Sequence, residues 1–190
     1  MQPVSAILSF GLTFIILGCG TKTSHDDSHA TRKMADGHEW LVENLKVKVD
    51  TTYCSQDDEK FCLQYGRLYT WQTAKKACSS LGDGWRLPTD NEWQTLAKSY
   101  GGIYDDSNDE GKTAYVRLIS GGESGFNALL GGNREVDGSY QRREAHGFYW
   151  TSSGLDSTEA WFYNFAKSPQ LLNHHTGDKK RANSVRCIRD

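Results

Sequence analysis

The sequence predicts an α+β domain in which two short helices pack on a twisted antiparallel sheet with long loops. Three observations predict it. Of 190 residues 19 are glycine and 12 % are aromatic, a composition that favours short strands and turns over long helices. Two segments, starting at Thr70 and Thr89, carry helix starts and stops. A series of short apolar pieces then follows, each of strand length.

Residues 1–18 precede this domain and read as an export signal. Met1 to Gly18 contains no charged side chain, and Met1-Gln2-Pro3 lacks the Lys or Arg usual at such a start. The apolar run Val4–Leu17 matches a signal core and is too short to span a bilayer comfortably. It ends in Ile16-Leu17-Gly18-Cys19, which resembles a lipobox, where bacterial lipoprotein signals are cut before a lipid-modified Cys. A diacylglycerol on the Cys19 thiol and an acyl chain such as palmitate on the new amine would anchor the chain to a bilayer, since several chains hold where one does not. Gly20, in place of the Asp associated with inner-membrane retention, favours the outer membrane or cell surface. Residues 19–35 are polar and without apolar period, and read as a lipidated tether. His25-Asp26-Asp27-Ser28-His29 has ligand types but no scaffold, so no metal is assigned there.

Lys and Arg number 22 against 24 Asp and Glu, which leaves no electrostatic footprint for a nucleic-acid partner. Of five Cys, Cys19 goes to lipid. Cys54, Cys62, Cys78 and Cys187 remain, an even number in an exported chain, and imply disulfides with three possible connectivities. Cys54 and Cys62 flank a polar loop and suit a local bridge, which leaves Cys78 for Cys187. No C-x-x-C pair occurs, so zinc is a poor reading.

The domain is expected over 36–190. Trp40–Val42 and Leu45–Val49 read as strands, the second by clean alternation, and Phe61–Tyr69 as a further extended stretch. Thr70 stands at the start of the first helix, with Trp71, Ala74, Cys78 and Leu81 on one face and Gly82 as terminator. Thr89 and Glu92 form a T-x-x-E capping box for the second helix, which turns Trp93, Leu96 and Ala97 inward and stops at Gly101-Gly102. Arg86 and Glu92 pair as polar scaffolding. Residues 103–124 read as a solvated loop. Its Asp105, Asp106, Asp109 and Glu110 do not have EF-hand spacing. Phe126–Leu130, Phe148–Ser152, Glu159–Ala166 and Ser184–Ile188 read as strands. Trp161, Tyr163 and Phe165 recur every second position, a stripe read as core before sugar-stacking strip.

Five segments then occur in order: Tyr65–Trp71, Gly84–Trp93, Ser124–Leu129, Tyr149–Ser153 and Ser184–Cys187. Together they resemble the Fibrobacter succinogenes major paralogous domain, over about residues 36–190. That family is similar to C-type-lectin-like and formylglycine-generating-enzyme-like folds. The resemblance implies a C-type-lectin-like fold, and in such domains a Cys of the first helix bonds a Cys of the last strand, which supports Cys78–Cys187. It also implies losses. The E-P-N, Q-P-D and W-N-D triplets that hold calcium in sugar-binding lectins are missing, as is the second late Cys of the oxidising enzymes.

The expected function is therefore a surface-displayed, calcium-independent binding module without cofactor or metal, for a glycan or a protein. An envelope structural or assembly protein is the alternative, and an enzyme comes third for want of a catalytic constellation. Long loops on a rigid base suit recognition. The expected face spans 131–146 and 167–183, with Arg134, Tyr140, Arg142, Arg143, His146, His174, His175, Lys179, Lys180 and Arg181. Basic groups among Tyr and His suit an acidic glycan or acidic protein surface. His174 and His175 are adjacent, so on a strand they would face opposite ways.

Overall fold

The computed structural model describes residues 29–190. The expected signal segment, Cys19 and the tether as far as Ser28 lie outside the described residues. Polarity assigns all of 19–35 to the tether, yet Thr31–Lys33 form a strand, β1, paired antiparallel with β2 (Glu39–Leu41). All three β1 residues are exposed, so no apolar pattern marks the strand in the sequence.

β3 (Thr52–Tyr53) and a 3-10 turn at Ser55–Asp57 lead into α1 (Glu59–Tyr65) and β4 (Leu68–Thr70). Phe61–Tyr69 is thus helical in its first half, not extended throughout. The Asp58 carboxylate caps α1 by accepting from the Lys60 N–H at 3.0 Å, and Gly66 ends it with a left-handed φ of +81°. The segment Leu45–Val49 also differs from expectation. Leu45 is buried and Val47 and Val49 half-buried, so the alternation reflects packing. The backbone joins no ladder: the Leu45 N–H donates to the Val185 carbonyl, and the Leu45 carbonyl accepts from the Arg67 N–H.

The two expected helices are α2 (Trp71–Ser79) and α3 (Asp90–Ser99). Ala74 and Cys78 of α2 are buried, and Gly82 is left-handed just past its end. Thr70 occupies the cap position without a side-chain capping bond, its hydroxyl pairing with that of Thr73 at 2.9 Å instead. The capping box of α3 is complete. The Glu92 N–H donates to Thr89 Oγ1 at 3.3 Å, and the Thr89 N–H donates to the Glu92 carboxylate at 2.7 Å. Arg86 grips the same carboxylate with two bonds of 2.7 and 2.8 Å. Burial alone would raise the Glu92 carboxyl, but the hydrogen bonds from Arg86 and Thr89 outweigh it and hold it at about 2. Trp93, Leu96 and Ala97 point into the core.

The expected loop 103–124 contains a further helix, α4 (Lys112–Leu118), which buries Ala114, Tyr115 and Leu118. Asp109 of the acidic run accepts from the Thr113 N–H at 2.9 Å, so it serves the first turn of α4.

The rest of the chain is largely strand: β5 (Asn133–Arg134), β6 (Tyr140–Gln141), β7 (His146–Gly154), β8 (Glu159–Ala166), β9 (Leu171–Asp178), β10 (Ala182–Asn183) and β11 (Ile188–Arg189). Phe126–Leu130 provides only an isolated bridge from Ala128 to Ile119, and Ser184–Ile188 is interrupted between a bridge at Ser184 and β11. The described residues form a mixed α+β fold with four α-helices and three antiparallel sheets, ordered β1-β2-β11, β3-β4-β10-β5-β6 and β7-β8-β9.

Trp93 sits at the centre of one core cluster. It stacks on Tyr163 at 5.1 Å between ring centroids and meets Trp40, Phe126 and Tyr149 at 5.1, 5.6 and 5.7 Å. A second cluster gathers Leu41, Tyr69, Trp150 and Val185 around Cys78 and Cys187. Disulfides join Cys54 to Cys62 and Cys78 to Cys187.

Candidate functional site

β7 and β8 pair with Phe148 opposite Asn164 and Trp150 opposite Phe162. Side chains alternate along a strand, and directly opposed residues share a face. Tyr149, Tyr163 and Phe165 therefore occupy one face, which is the core. His146, Phe148, Phe162 and Asn164 occupy the other. There the five-stranded sheet comes alongside, with Asn133 on β5 and Asn183 on β10. Arg142 follows β6 and Arg181 precedes β10.

Between the two sheets lies a cavity of about 210 Å³. Its polar lining is Asn133, Arg142, His146, Asn164, Arg181 and Asn183, and its apolar walls are Phe148 and Phe162. The Phe rings meet edge to face at 5.7 Å, and His146 lies parallel to Phe148 at 5.5 Å. His146 Nδ1 is 3.0 Å from Asn164 Oδ1. With the amide oxygen as acceptor, Nδ1 donates this bond, and Nε2 has no partner among the described residues.

Glu135 organises the basic rim. Its Oε1 accepts from Arg142 Nη1 at 2.6 Å and from Asn133 Nδ2 at 2.9 Å, and Oε2 pairs with Arg181 Nε at 2.8 Å. Burial would raise the Glu135 carboxyl, but the bonds from Asn133 and Arg142 and the charges of Arg181 and Arg142 outweigh it, so it lies below its ordinary range. Two guanidiniums thus share one carboxylate.

The floor is less well satisfied. Asn183 is 2 % exposed and Asn164 7 %. Among the described residues the Asn183 amide has no hydrogen-bond partner, and Asn164 uses only its oxygen, towards His146. Both line the cavity, and neither contributes to the fully buried unpaired side-chain atoms among the described residues.

Of the ten residues expected to form a recognition face, Arg142, His146 and Arg181 meet at this cavity. Arg134, Lys179 and Lys180 line a neighbouring open groove with Tyr53 and Trp71. Arg134 lies 4.1 Å over the Tyr53 ring, and the ammoniums of Lys75 and Lys179 lie 3.4 and 4.4 Å from the Trp71 ring. Tyr140 donates to Asp57. Burial first, then Asp57, push its hydroxyl up to about 12. Arg143 donates to Ser55 Oγ at 3.1 Å and lies 3.8 Å over Phe61.

His174 and His175 sit on β9, within a stretch expected to be loop, and face opposite ways. His174 Nε2 is 2.6 Å from Asp90 Oδ1, and its ring stacks on Trp161 at 4.3 Å. His175 meets Phe162 on the other face. Tyr163 and Phe165 are fully buried, so the aromatic stripe is core, with Trp161 half-exposed at its end. Sequence reasoning missed Asn133, Asn164, Asn183, Phe148 and Phe162 as cavity residues. They come from four strands, and no spacing links them.

Two other clusters among the described residues bring three potential metal ligands together. In Cys54–Glu59–Cys62 both sulfurs are spent in a disulfide. In His38–Glu92–Asp190 the Arg86 guanidinium already bonds both carboxylates, which puts a cation where a metal would need to be.

The family model described as the Fibrobacter succinogenes major domain matches residues 24–189. No curated protein matches the chain. No helix among the described residues is long and apolar enough to cross a membrane.

Proposed function

From the premise that the chain belongs to the Fibrobacter succinogenes major domain family, we propose that it is a lipid-anchored binding module displayed at the outer membrane or cell surface. Its recognition site is the cavity between β7–β8 and β5–β10. The observation that carries the reading is the floor of that cavity. Asn183 and Asn164 are more than nine-tenths buried, yet the Asn183 amide and the Asn164 Nδ2 remain free to meet a ligand there. A polar floor that opens to the cavity between two aromatic walls, rimmed by arginine, suits a hydroxylated ligand. No calcium is needed for it, because the side chains themselves supply the donors and acceptors.

The fold is read as C-type-lectin-like. Support comes from two helices, α2 and α3, packed against the sheets, and from the disulfide that ties α2 to the chain just before β11. The anchor is read from Cys19 in its lipobox. Cells fed labelled palmitate are expected to label the wild-type protein and not the Cys19→Ala variant; label retained in the variant removes the anchor. For recognition, the detergent-purified chain on a glycan array is expected to bind a defined subset of glycans. Its Asn183→Ala variant should bind at least tenfold more weakly, as expected when a buried amide contact is lost. An empty array in the absence of calcium sinks the glycan reading and leaves the envelope-assembly role to be tested by cross-linking in cells.

A further inference from the structure

We infer that the cavity takes one carboxylate-bearing sugar residue, a hexuronate, of a glycan. The inference rests on the recognition reading above and adds the ligand class to it.

Charge is the first argument. Arg142 and Arg181 share the single carboxylate of Glu135, which leaves one positive charge at the rim. Glu135 engages Arg181 only at Nε. The two terminal nitrogens of Arg181 have no hydrogen-bond partner among the described residues, and a guanidinium edge of that kind matches a carboxylate. Arg142 adds the nitrogens that Asn133 and Glu135 leave unused. The charge count favours one carboxylate over a run of them. The adjoining depression, which shares Arg142 and Arg181 with the cavity, also carries Asp137 and Asp178 beside Glu135, and would repel a continuous polyanion.

The floor and walls are the second argument. An amide presents donors and an acceptor side by side, the pattern that adjacent ring hydroxyls require. Asn183 offers both free, Asn164 offers its Nδ2, and His146 offers Nε2. Phe148 and Phe162 supply an apolar surface for ring C–H groups. About 210 Å³ of space suits one sugar ring and not two. Carboxylate at the rim, hydroxyls on the floor and ring against the walls is one pose that uses the free groups of Arg181, Arg142, Asn183, Asn164 and His146.

The test is calorimetric titration of the whole chain in detergent. The probes are short neutral oligosaccharides ending in a single galacturonate, glucuronate, mannuronate or guluronate, each paired with the same oligosaccharide after its one carboxyl is reduced to a primary alcohol. At least one acid is expected to bind tenfold or more tightly than its reduced partner. Arg181→Gln is expected to erase that preference while leaving weak binding of both. Arg181 is partly exposed and, among the described residues, its side chain pairs only with Glu135, so this variant should fold. Asn183→Ala is expected to weaken acid and reduced forms alike. Equal binding of acid and reduced forms overturns the uronate assignment but leaves a recognition module standing. Acid binding that survives both substitutions puts the site elsewhere and overturns the inference. If no oligomer of the panel binds, the inference fails, and the glycan array tells whether the wider reading fails with it.

Discussion

Replacing Arg186 with Ala is expected to cost on the order of 4 kcal/mol of folding stability. Arg186 is fully buried and has no ion-pair partner among the described residues. Desolvation accordingly pushes its pKa down. Its charge is spread over neutral acceptors instead. Nε donates to Asn44 Oδ1 at 2.9 Å, Nη1 to the carbonyls of Leu41 and Phe126 at 3.0 and 2.6 Å, and Nη2 to the Asn127 carbonyl at 2.7 Å. The Phe126 ring lies 4.6 Å from the guanidinium. One side chain therefore ties the end of β2 to the irregular segment 124–130. Removing it strips bonds from three backbone carbonyls at once and leaves a void that water fills only in part. Lys keeps the charge but not the planar fork, so Arg186→Lys should recover less than half of the loss. Urea unfolding of the two variants measures both numbers. A loss below about 1 kcal/mol for Arg186→Ala would mean that the segment 124–130 is held by other contacts.

The second large effect concerns the two disulfides, which should differ in weight. Cys78–Cys187 closes a loop with a sequence separation of 109, and Cys54–Cys62 one of 8. Chain entropy alone gives about 4.8 kcal/mol for the first and about 2.5 kcal/mol for the second. Cys78 and Cys187 are also completely buried in a core cluster, so their replacement disturbs packing as well. Thermal unfolding without reductant should rank the double Cys78→Ala, Cys187→Ala variant well below the double Cys54→Ala, Cys62→Ala variant. The reverse ranking would place the main constraint in the local loop and not in the closure of the domain.

The parts of the fold that the sequence displays are those fixed by short-range rules. The Thr89–Glu92 capping box, the inward face of α2 and the alternation in β8 each sit within ten residues of chain, where backbone periodicity is visible. α1 and α4 escape this kind of reading because each has seven residues. α1 buries only Cys62, and a period of 3.6 cannot declare itself in two turns. Its Phe61 and Tyr65 instead suggest a strand. β9 was hidden for another reason. Leu171-Leu172-Asn173-His174-His175-Thr176 is mostly polar because both of its faces meet partners: His174 meets Asp90 and Trp161, and His175 meets Phe162.

The cavity was legible only at its rim. Arg142, His146 and Arg181 stand out by residue type in segments that look like loops. The floor does not, because a buried Asn in a short strand looks like any polar interruption. Asn133, Asn164 and Asn183 become a site only when β5, β8 and β10 are brought side by side. The same holds for Asn44, whose Nδ2 donates to the Tyr65 carbonyl while its oxygen accepts from Arg186. Its meaning depends on partners 21 and 142 residues away.

The amides of Asn164 and Asn183 are expected to touch the ligand. Nitrogen-detected side-chain amide signals of the detergent-purified chain, followed while its strongest array glycan is added, report this directly. The signals of Asn164 and Asn183 should shift in a saturable way, with that of Asn133 following through its bond to Arg142. Signals of those three that stay fixed while resonances around Trp71 or Trp161 move would contradict it.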